Sequence, residues 1–297
     1  GLSAAVEAAR ANTKVAIIEK NELPGGSTMI SGADFNAAGS DIQKKLGIED
    51  YPKWHIEDTL KGGDYVGNPK LVETLANNAT AAIKWLYDEI GVDVITDHLF
   101  QFGGHRVPRA VSQTTVHGDM IVSRLLEDAE KHGAQIFYST KATELILNKS
   151  GVVTAVKAVN DGKEIVFNAN KAVIIATGGF ASNVEMRKKY NKEYDERYMS
   201  TSAKGSLGEG VIMAEAAGAN IIDMQYIQLH PTCNPKTGVM SYLAAGSYID
   251  GGLLINQQGK RFVNELERRD VVAKAIVEQT GNVAYVIWPQ ELEESSR

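Results

Sequence analysis

The first stretch of the chain constrains the fold more than any other. Leu2-Ser3-Ala4-Ala5-Val6-Glu7-Ala8-Ala9-Arg10 is built from strong helix formers, and Leu2, Val6 and Ala9 share one face at helical spacing. Lys14-Val15-Ala16-Ile17-Ile18-Glu19-Lys20 follows, a short β-branched apolar run that predicts a buried parallel strand ending in an acid. A helix running straight into such a strand is the second half of a βαβ unit. The strand and glycine turn that open such a unit do not precede Gly1. The expectation is therefore a chain that starts inside the unit, with Gly1 as the last glycine of a G-x-G-x-x-G turn.

Further along, the pattern stays that of an α/β protein. Pro24-Gly25-Gly26-Ser27-Thr28 is a glycine turn directly after the strand, and Ser31 to Gly39 reads as loop. Helices are predicted over Pro52–Leu60, Pro69–Ile90 and Gly118–Lys131, the second with an apolar stripe of Leu71, Leu75, Ala79, Ile83 and Leu86. Gln135–Tyr138 reads as a short strand. Thr143–Leu147, Val152–Val159 and Glu164–Phe167 read as an antiparallel meander, with turns at Lys149-Ser150-Gly151 and Asp161-Gly162. Lys171–Ala176 has the composition of a second buried parallel strand, running into Thr177-Gly178-Gly179-Phe180. Gly208–Ala217 is a further helix, and from about Met224 the texture changes to loops and strands.

Two strands that each end at a Gly-Gly pair suggest a bound dinucleotide. Glycine lets the backbone approach a flat cofactor or its pyrophosphate where a Cβ would clash. An acid such as Glu19 at the carboxyl edge of a parallel strand accepts ribose hydroxyls in dinucleotide folds. Composition excludes other classes. A net charge of −6 argues against a protein built to bind nucleic acid. No apolar run approaches the ~20 residues needed to cross a bilayer. The single cysteine, Cys233, excludes an internal disulfide framework, a c-type haem site and a cysteine set for an iron–sulfur cluster.

Val15–Lys20 followed by Pro24-Gly25-Gly26-Ser27-Thr28 and Asn36-Ala37-Ala38-Gly39 resembles the FAD domain of the fumarate reductase/succinate dehydrogenase flavoproteins. The likeness extends to Glu57–Asp64, Ala176–Phe180, Asp223–Thr232 and Gly259–Glu265, in the family's order. It is nearest to the soluble flavocytochrome c fumarate reductases and their urocanate- and acrylate-reducing relatives. The resemblance implies a Rossmann-like FAD-binding domain over residues 1–226, a parallel sheet with a small antiparallel meander, and part of an α+β capping domain over 227–297. In the family the chain continues beyond this point, so this one is expected to be cut at both ends. Any signal peptide would precede Gly1, and periplasm, cell surface and cytoplasm all stay open.

The resemblance also assigns residues. Glu19, with Lys20 beside it, matches the acid that binds the adenosine ribose. Gly1, Gly25 and Gly26 match the phosphate turns, Ser27 and Thr28 contact flavin and pyrophosphate, and Gly32 and Ala33 pack on the isoalloxazine. Ala142 matches a backbone contact to adenine. Thr177 and Gly178 belong to the second glycine junction, and Glu209 stands where the family usually has aspartate. The matching stretch has no histidine to tether the flavin, which implies non-covalent FAD.

For chemistry, His230 matches the histidine that hydrogen-bonds a substrate carboxylate, Met240 a residue that clamps the substrate, and Arg269 the proton donor, with Arg268 its exposed neighbour. The implied reaction is hydride transfer from reduced flavin to one alkene carbon of an enoate, with Arg269 protonating the other. The family's proton relay of a glutamate and a second arginine is missing from Ser241–Ile249; Tyr242, Tyr248, Asp250 or water could replace it. A tyrosine-rich, less charged pocket suits a larger or aromatic enoate, urocanate or a cinnamate-like acid. Fumarate is the simplest substrate implied. A related flavin dehydrogenase or oxidase and a non-catalytic flavin-binding fragment are the competing classes. No metal site is expected. Electrons are expected from an external donor: a cytochrome, a flavin domain or an NADH module.

Overall fold

A computed structural model describes residues 1–115, 117–240 and 252–289. The chain divides into two compact units, Gly1–Thr177 and Gly178–Arg297.

The first unit opens with helix α1 (Leu2–Arg10) and strand β1 (Ala16–Ile18), as the apolar periods require. A short helix α2 (Gly26–Met29) starts at Gly25, whose φ of +103° suits glycine alone. β2 (Phe35–Asn36) pairs antiparallel with β3 (Ala110–Val111). Between them lie α3 (Asp41–Lys45), α4 (Pro52–Gly62) and α5 (Pro69–Asp88). Ser40 caps α3 in a reciprocal box with Gln43, an arrangement that contributes about 1 kcal/mol. α6 (Asp119–Lys131) leads to β4 (Gln135–Phe137), which pairs parallel with β1. The meander follows as β5 (Thr140–Leu147), β6 (Val153–Asn160) and β7 (Lys163–Asn168), all antiparallel. Its second turn has both Asp161 and Gly162 at positive φ, which matches the right-handed twist of the strands.

The core of this unit gathers Val6 and Ala9 of α1, Ile83 and Leu86 of α5, and Ile121, Leu125 and Ala129 of α6. Burying each of the larger aliphatic side chains is worth about 1.5–3 kcal/mol. Arg10 fastens α1 to its neighbours, donating to Asp128 and Glu89 at 2.9 Å each.

Three expectations are corrected. Lys171–Ala176 forms no strand; Ile174 and Ile175 are exposed, and the segment is tied by Lys171 Nζ to Thr13 Oγ1 at 3.2 Å. β-branched composition makes a strand only when a neighbour supplies the ladder, and no described strand pairs with it. For the same reason β1, paired on one edge only among the described residues, is half-buried rather than buried. The amino-terminal half of the α5 stripe is also uncovered, with Leu71 and Leu75 at 68% and 60% exposure.

The second unit holds α7 (Val184–Tyr190), capped by Asn183, and α8 (Glu209–Ala216). β8 (Leu253–Ile255) pairs antiparallel with β9 (Tyr285–Ile287), and α9 (Arg269–Val277) packs Val272 and Ala273 inward. This last helix lies where only loops and strands are expected. A small apolar cluster joins Tyr194, Leu229 and Ala273.

Candidate functional site

In the first unit Glu19 directly follows the carboxyl end of β1. The Glu19 N–H donates to the Phe137 carbonyl and the Glu19 carbonyl accepts from Thr140 N–H, both at 2.9 Å. Those bonds set Glu19 at the seam of β4 and β5, beside Thr140, which stands two residues before Ala142. Its carboxylate accepts the Asn21 N–H at 2.8 Å, which holds the side chain at the strand end. Gly1 lies against Ala176, next to Thr177; a Cβ on Gly1 would stand 3.4 Å from that of Ala176.

The turn after β1 is open at its second glycine and closed at its first. Gly26 has a φ of +50°, and a Cβ there would meet nothing within 4 Å. Thr28 and Ser31 fold it back: the Thr28 carbonyl accepts the Ser31 N–H at 3.2 Å and its hydroxyl at 2.9 Å. The Ser31 hydroxyl in turn accepts the Ala33 N–H at 3.2 Å, holding Gly32 and Ala33 beside the turn. Ala33 has a φ of +54°, a left-handed conformation that costs an L-residue of order 1 kcal/mol.

In the second unit Gly178 has a φ of +73° with open space around it. The Gly208 N–H donates to the Gly179 carbonyl at 3.1 Å, so Glu209, the first residue of α8, is anchored to the Gly178-Gly179 junction. Within the first unit, an acid at a strand end followed by a glycine turn is what a dinucleotide needs. The residues present therefore fit FAD.

The catalytic candidates lie further along this second unit. His230 Nδ1 stands 3.0 Å from the Thr232 carbonyl. Burial first, and then the field of Arg269, push its pKa below the ordinary imidazole value. Arg269 opens α9, and the approach to it is pinned to β8. Glu265 is buried, accepts the Leu254 N–H at 2.8 Å and pairs with Arg261 at 2.6 Å. Arg268 pairs with Asp270 at 3.0 Å. Met240 is half-buried and follows the Asn234–Val239 turn, where Gly238 (φ +72°) packs a Cα hydrogen toward the Ser200 carbonyl. Tyr242, Tyr248 and Asp250 lie outside the described residues.

Sequence reasoning missed two features of the first unit. One is an ionic cluster around Arg109, whose side chain is wholly buried and bonded to Asp50 and Asp58. An arginine inside Pro108-Arg109-Ala110-Val111 was the available signal, since a charge in an apolar strand must find a partner. The other is a cleft of about 630 Å³ between β2 and α5, lined by Asn36, His55, Leu71 and Leu75 among others. Among the described residues no group of His, Cys, Asp and Glu could hold a metal ion.

Comparison with known proteins identifies the family. The sequence pattern of the FAD binding domain family matches residues 1–287. The urocanate reductase of Eggerthella lenta is 42% identical over 98% of this chain and 48% of its own length. The NADH:fumarate oxidoreductase of Klebsiella pneumoniae is 35% identical over 98% of this chain and 31% of its own length. Among solved structures, the open conformation of a flavocytochrome c3 fumarate reductase superposes with a TM-score of 0.85 at 30% identity. That superposition covers 99% of this chain and 51% of the other. The chain thus spans from about a third to about half of the length of these proteins.

Proposed function

The chain belongs to the FAD binding domain family, its cofactor is FAD, and from that premise we propose that it serves a reductase of the C=C bond of an enoate. Residues 1–226 would carry FAD without a covalent tether, and 227–297 would form part of a cap over the substrate. Glu19 would accept the ribose hydroxyls, Ala142 would meet the adenine, and Gly1, Gly25–Thr28, Gly32, Ala33, Thr177, Gly178 and Glu209 would line the remainder. When bound and reduced by the external donor, FAD would supply the hydride.

The observation that carries the reading is the 42% identity to a urocanate reductase over 98% of this chain, and His230 and Arg269, both in the second unit, are the residues assigned to the substrate. His230 Nδ1 lies 3.0 Å from the Thr232 carbonyl and 3.3 Å from the Thr232 N–H, and a ring protonated on both nitrogens would donate from Nδ1 to that carbonyl and keep Nε2–H for a substrate. A substrate carboxylate at Nε2 is then hydrogen-bonded by the imidazolium, which takes up a proton as it binds. Arg269 adds positive charge where the carboxylate of the product-like anion gathers electrons, and delivers a proton to the second alkene carbon. The pairing of Arg268 with Asp270 supports assigning that role to Arg269. Met240 would hold the substrate against this pair.

Two substrates are weighed. The likeness to a urocanate reductase and the absence of acid and arginine from Ser241–Ile249 favour urocanate or another larger enoate over fumarate. Electrons would come from an external cytochrome, flavin domain or NADH module, for which the names of the relatives are the support. The test is steady-state turnover of the full-length protein, with a reduced viologen dye as donor, against fumarate, acrylate, urocanate and cinnamate. Reoxidation of the flavin by at least one enoate is expected, fastest with urocanate or cinnamate. Fast turnover of fumarate alone sinks the larger-substrate reading. Flavin that no enoate reoxidises, but that a saturated ketosteroid or an amino acid reduces, moves the chain to the dehydrogenases.

A further inference from the structure

The loop Gly25–Ala33 is held by the first turn of α6 through two contacts that leave no room for a side chain. Gly118 immediately precedes that helix. A Cβ on Gly118 would stand 2.0 Å from the Thr28 carbonyl oxygen, 3.0 Å from its carbon and 3.4 Å from the Ala33 Cβ. The Gly118 N–H donates to the Ser31 carbonyl at 3.0 Å. One turn on, a Cβ on Gly25 would stand 2.8 and 2.9 Å from the two methyls of Val122. Each side of the junction thus supplies a glycine to the other.

Conformation does not require glycine at Gly118. Its φ is −72°, open to any L-residue. Space alone requires it, and the obstacle is backbone, which cannot swing aside as a side chain can. Any side chain at Gly118 must lift the Thr28 peptide, and Ser31 transmits that shift to Ala33 through its two hydroxyl bonds. Gly133, at the far end of α6, is the opposite case. Its φ is +89° and nothing lies within 4 Å of its missing Cβ, so conformation alone calls for glycine there.

We propose that Gly118 is a positioning residue for the flavin: its missing side chain sets how far Thr28 and Ala33 stand from the isoalloxazine. This rests on the reading that Gly25–Ala33 faces that ring.

The test uses the full-length protein with its FAD, comparing Gly118→Ala, Gly133→Ala, Ser31→Ala and Ala33→Leu. Gly118→Ala is expected to raise the Kd for FAD by about tenfold or more and to shift the visible flavin absorbance bands. Gly133→Ala is expected to lower the melting temperature while leaving Kd and spectrum unchanged. Should Gly118→Ala fail to fold, Ser31→Ala loosens the same seat without adding an atom and is expected to shift the spectrum in the same way. An unchanged Kd and spectrum in Gly118→Ala, or in Ser31→Ala where it stands in, overturns the proposal. So does a Gly133→Ala protein whose flavin is disturbed as much. If Ala33→Leu disturbs the flavin and Gly118→Ala does not, the positioning role fails. If neither does, the assignment of the loop to the flavin fails first.

Discussion

Arg109 donates from Nε and Nη2 to the two carboxylate oxygens of Asp50, at 3.0 and 3.2 Å, with both side chains wholly withdrawn from solvent. Its Nη2 also reaches Asp58 at 2.8 Å, and Gln43 donates to Asp50 at 2.9 Å and to the Pro108 carbonyl at 2.8 Å. The backbone of Arg109 joins in, its carbonyl accepting the Ala37 N–H at 3.1 Å. This cluster fixes the segment of β2 and Ala37 against β3. Breaking a buried pair by removing one partner costs about 3–5 kcal/mol, since the other charge is left desolvated. Arg109→Met and Asp50→Asn are therefore each expected to lose stability of that order in urea unfolding. A loss under about 1 kcal/mol in both would mean the pair contributes as a surface ion pair does.

His105 lies beside this cluster, and its pKa falls from the ordinary 6.5 to about 4, through burial first and the charge of Arg109 second. The sign follows from linkage. Above 6.5 the ring is neutral folded or unfolded, and it adds no pH dependence. Between 6.5 and about 4 the unfolded chain binds a proton that the folded chain refuses, so stability falls as the pH drops through that window. Urea unfolding at a series of pH values should show this decline, and His105→Gln should flatten it. A variant with the same slope as the parent would assign the decline to other groups.

His230 carries a second pH effect. Burial and the Arg269 charge lower its pKa, so Arg269→Gln is expected to raise it toward the ordinary value, observable by NMR titration of the imidazole. Substrate carboxylate is expected to raise it too, so KM should increase as the pH rises from the lowered pKa of the free protein toward the raised pKa of the complex, and level off above it. Removal of the two groups should separate kinetically. Arg269→Gln is expected to reduce kcat by about 10²–10⁴ with KM little changed, and His230→Ala to act chiefly on KM. Equal effects on both parameters in both variants would contradict the division of roles.

Glu19 gives the cofactor prediction. Hydrogen bonds from ribose hydroxyls to a carboxylate are worth about 1.5–3 kcal/mol. Glu19→Ala should therefore weaken FAD binding by about tenfold or more, and Glu19→Gln less, measured by flavin fluorescence on release. Because the Glu19 backbone bonds to Phe137 and Thr140 are untouched, the melting temperature of the apoprotein should hold. Unaltered FAD affinity would place the ribose elsewhere.

What was legible along the chain was what local periodicity encodes. The face of Leu2, Val6 and Ala9 became a helix packed on α6, and Asp161-Gly162 became the tight turn of the meander, because each depends on near neighbours in sequence. Lys171–Ala176 misled for the complementary reason: a strand is a relation between two segments, and its own composition cannot supply the second. Helix α9 was hidden because a nine-residue helix, stabilised by packing Val272 and Ala273, carries only a short periodic signal.

The site divided in the same way. By itself the sequence determined the inventory: an acid after a strand, two glycine junctions, a His-Pro-Thr segment and an Arg-Arg pair, in the order of a flavoprotein. Tertiary structure decided which of those groups feel one another. Arg109 finds Asp50 59 residues earlier in the chain, and Gly118 meets Thr28 with no space between them. Arg268 turns to Asp270 while the charge of Arg269 bears on His230. Close packing and Coulomb forces act through distance in space, and that distance is set by the fold.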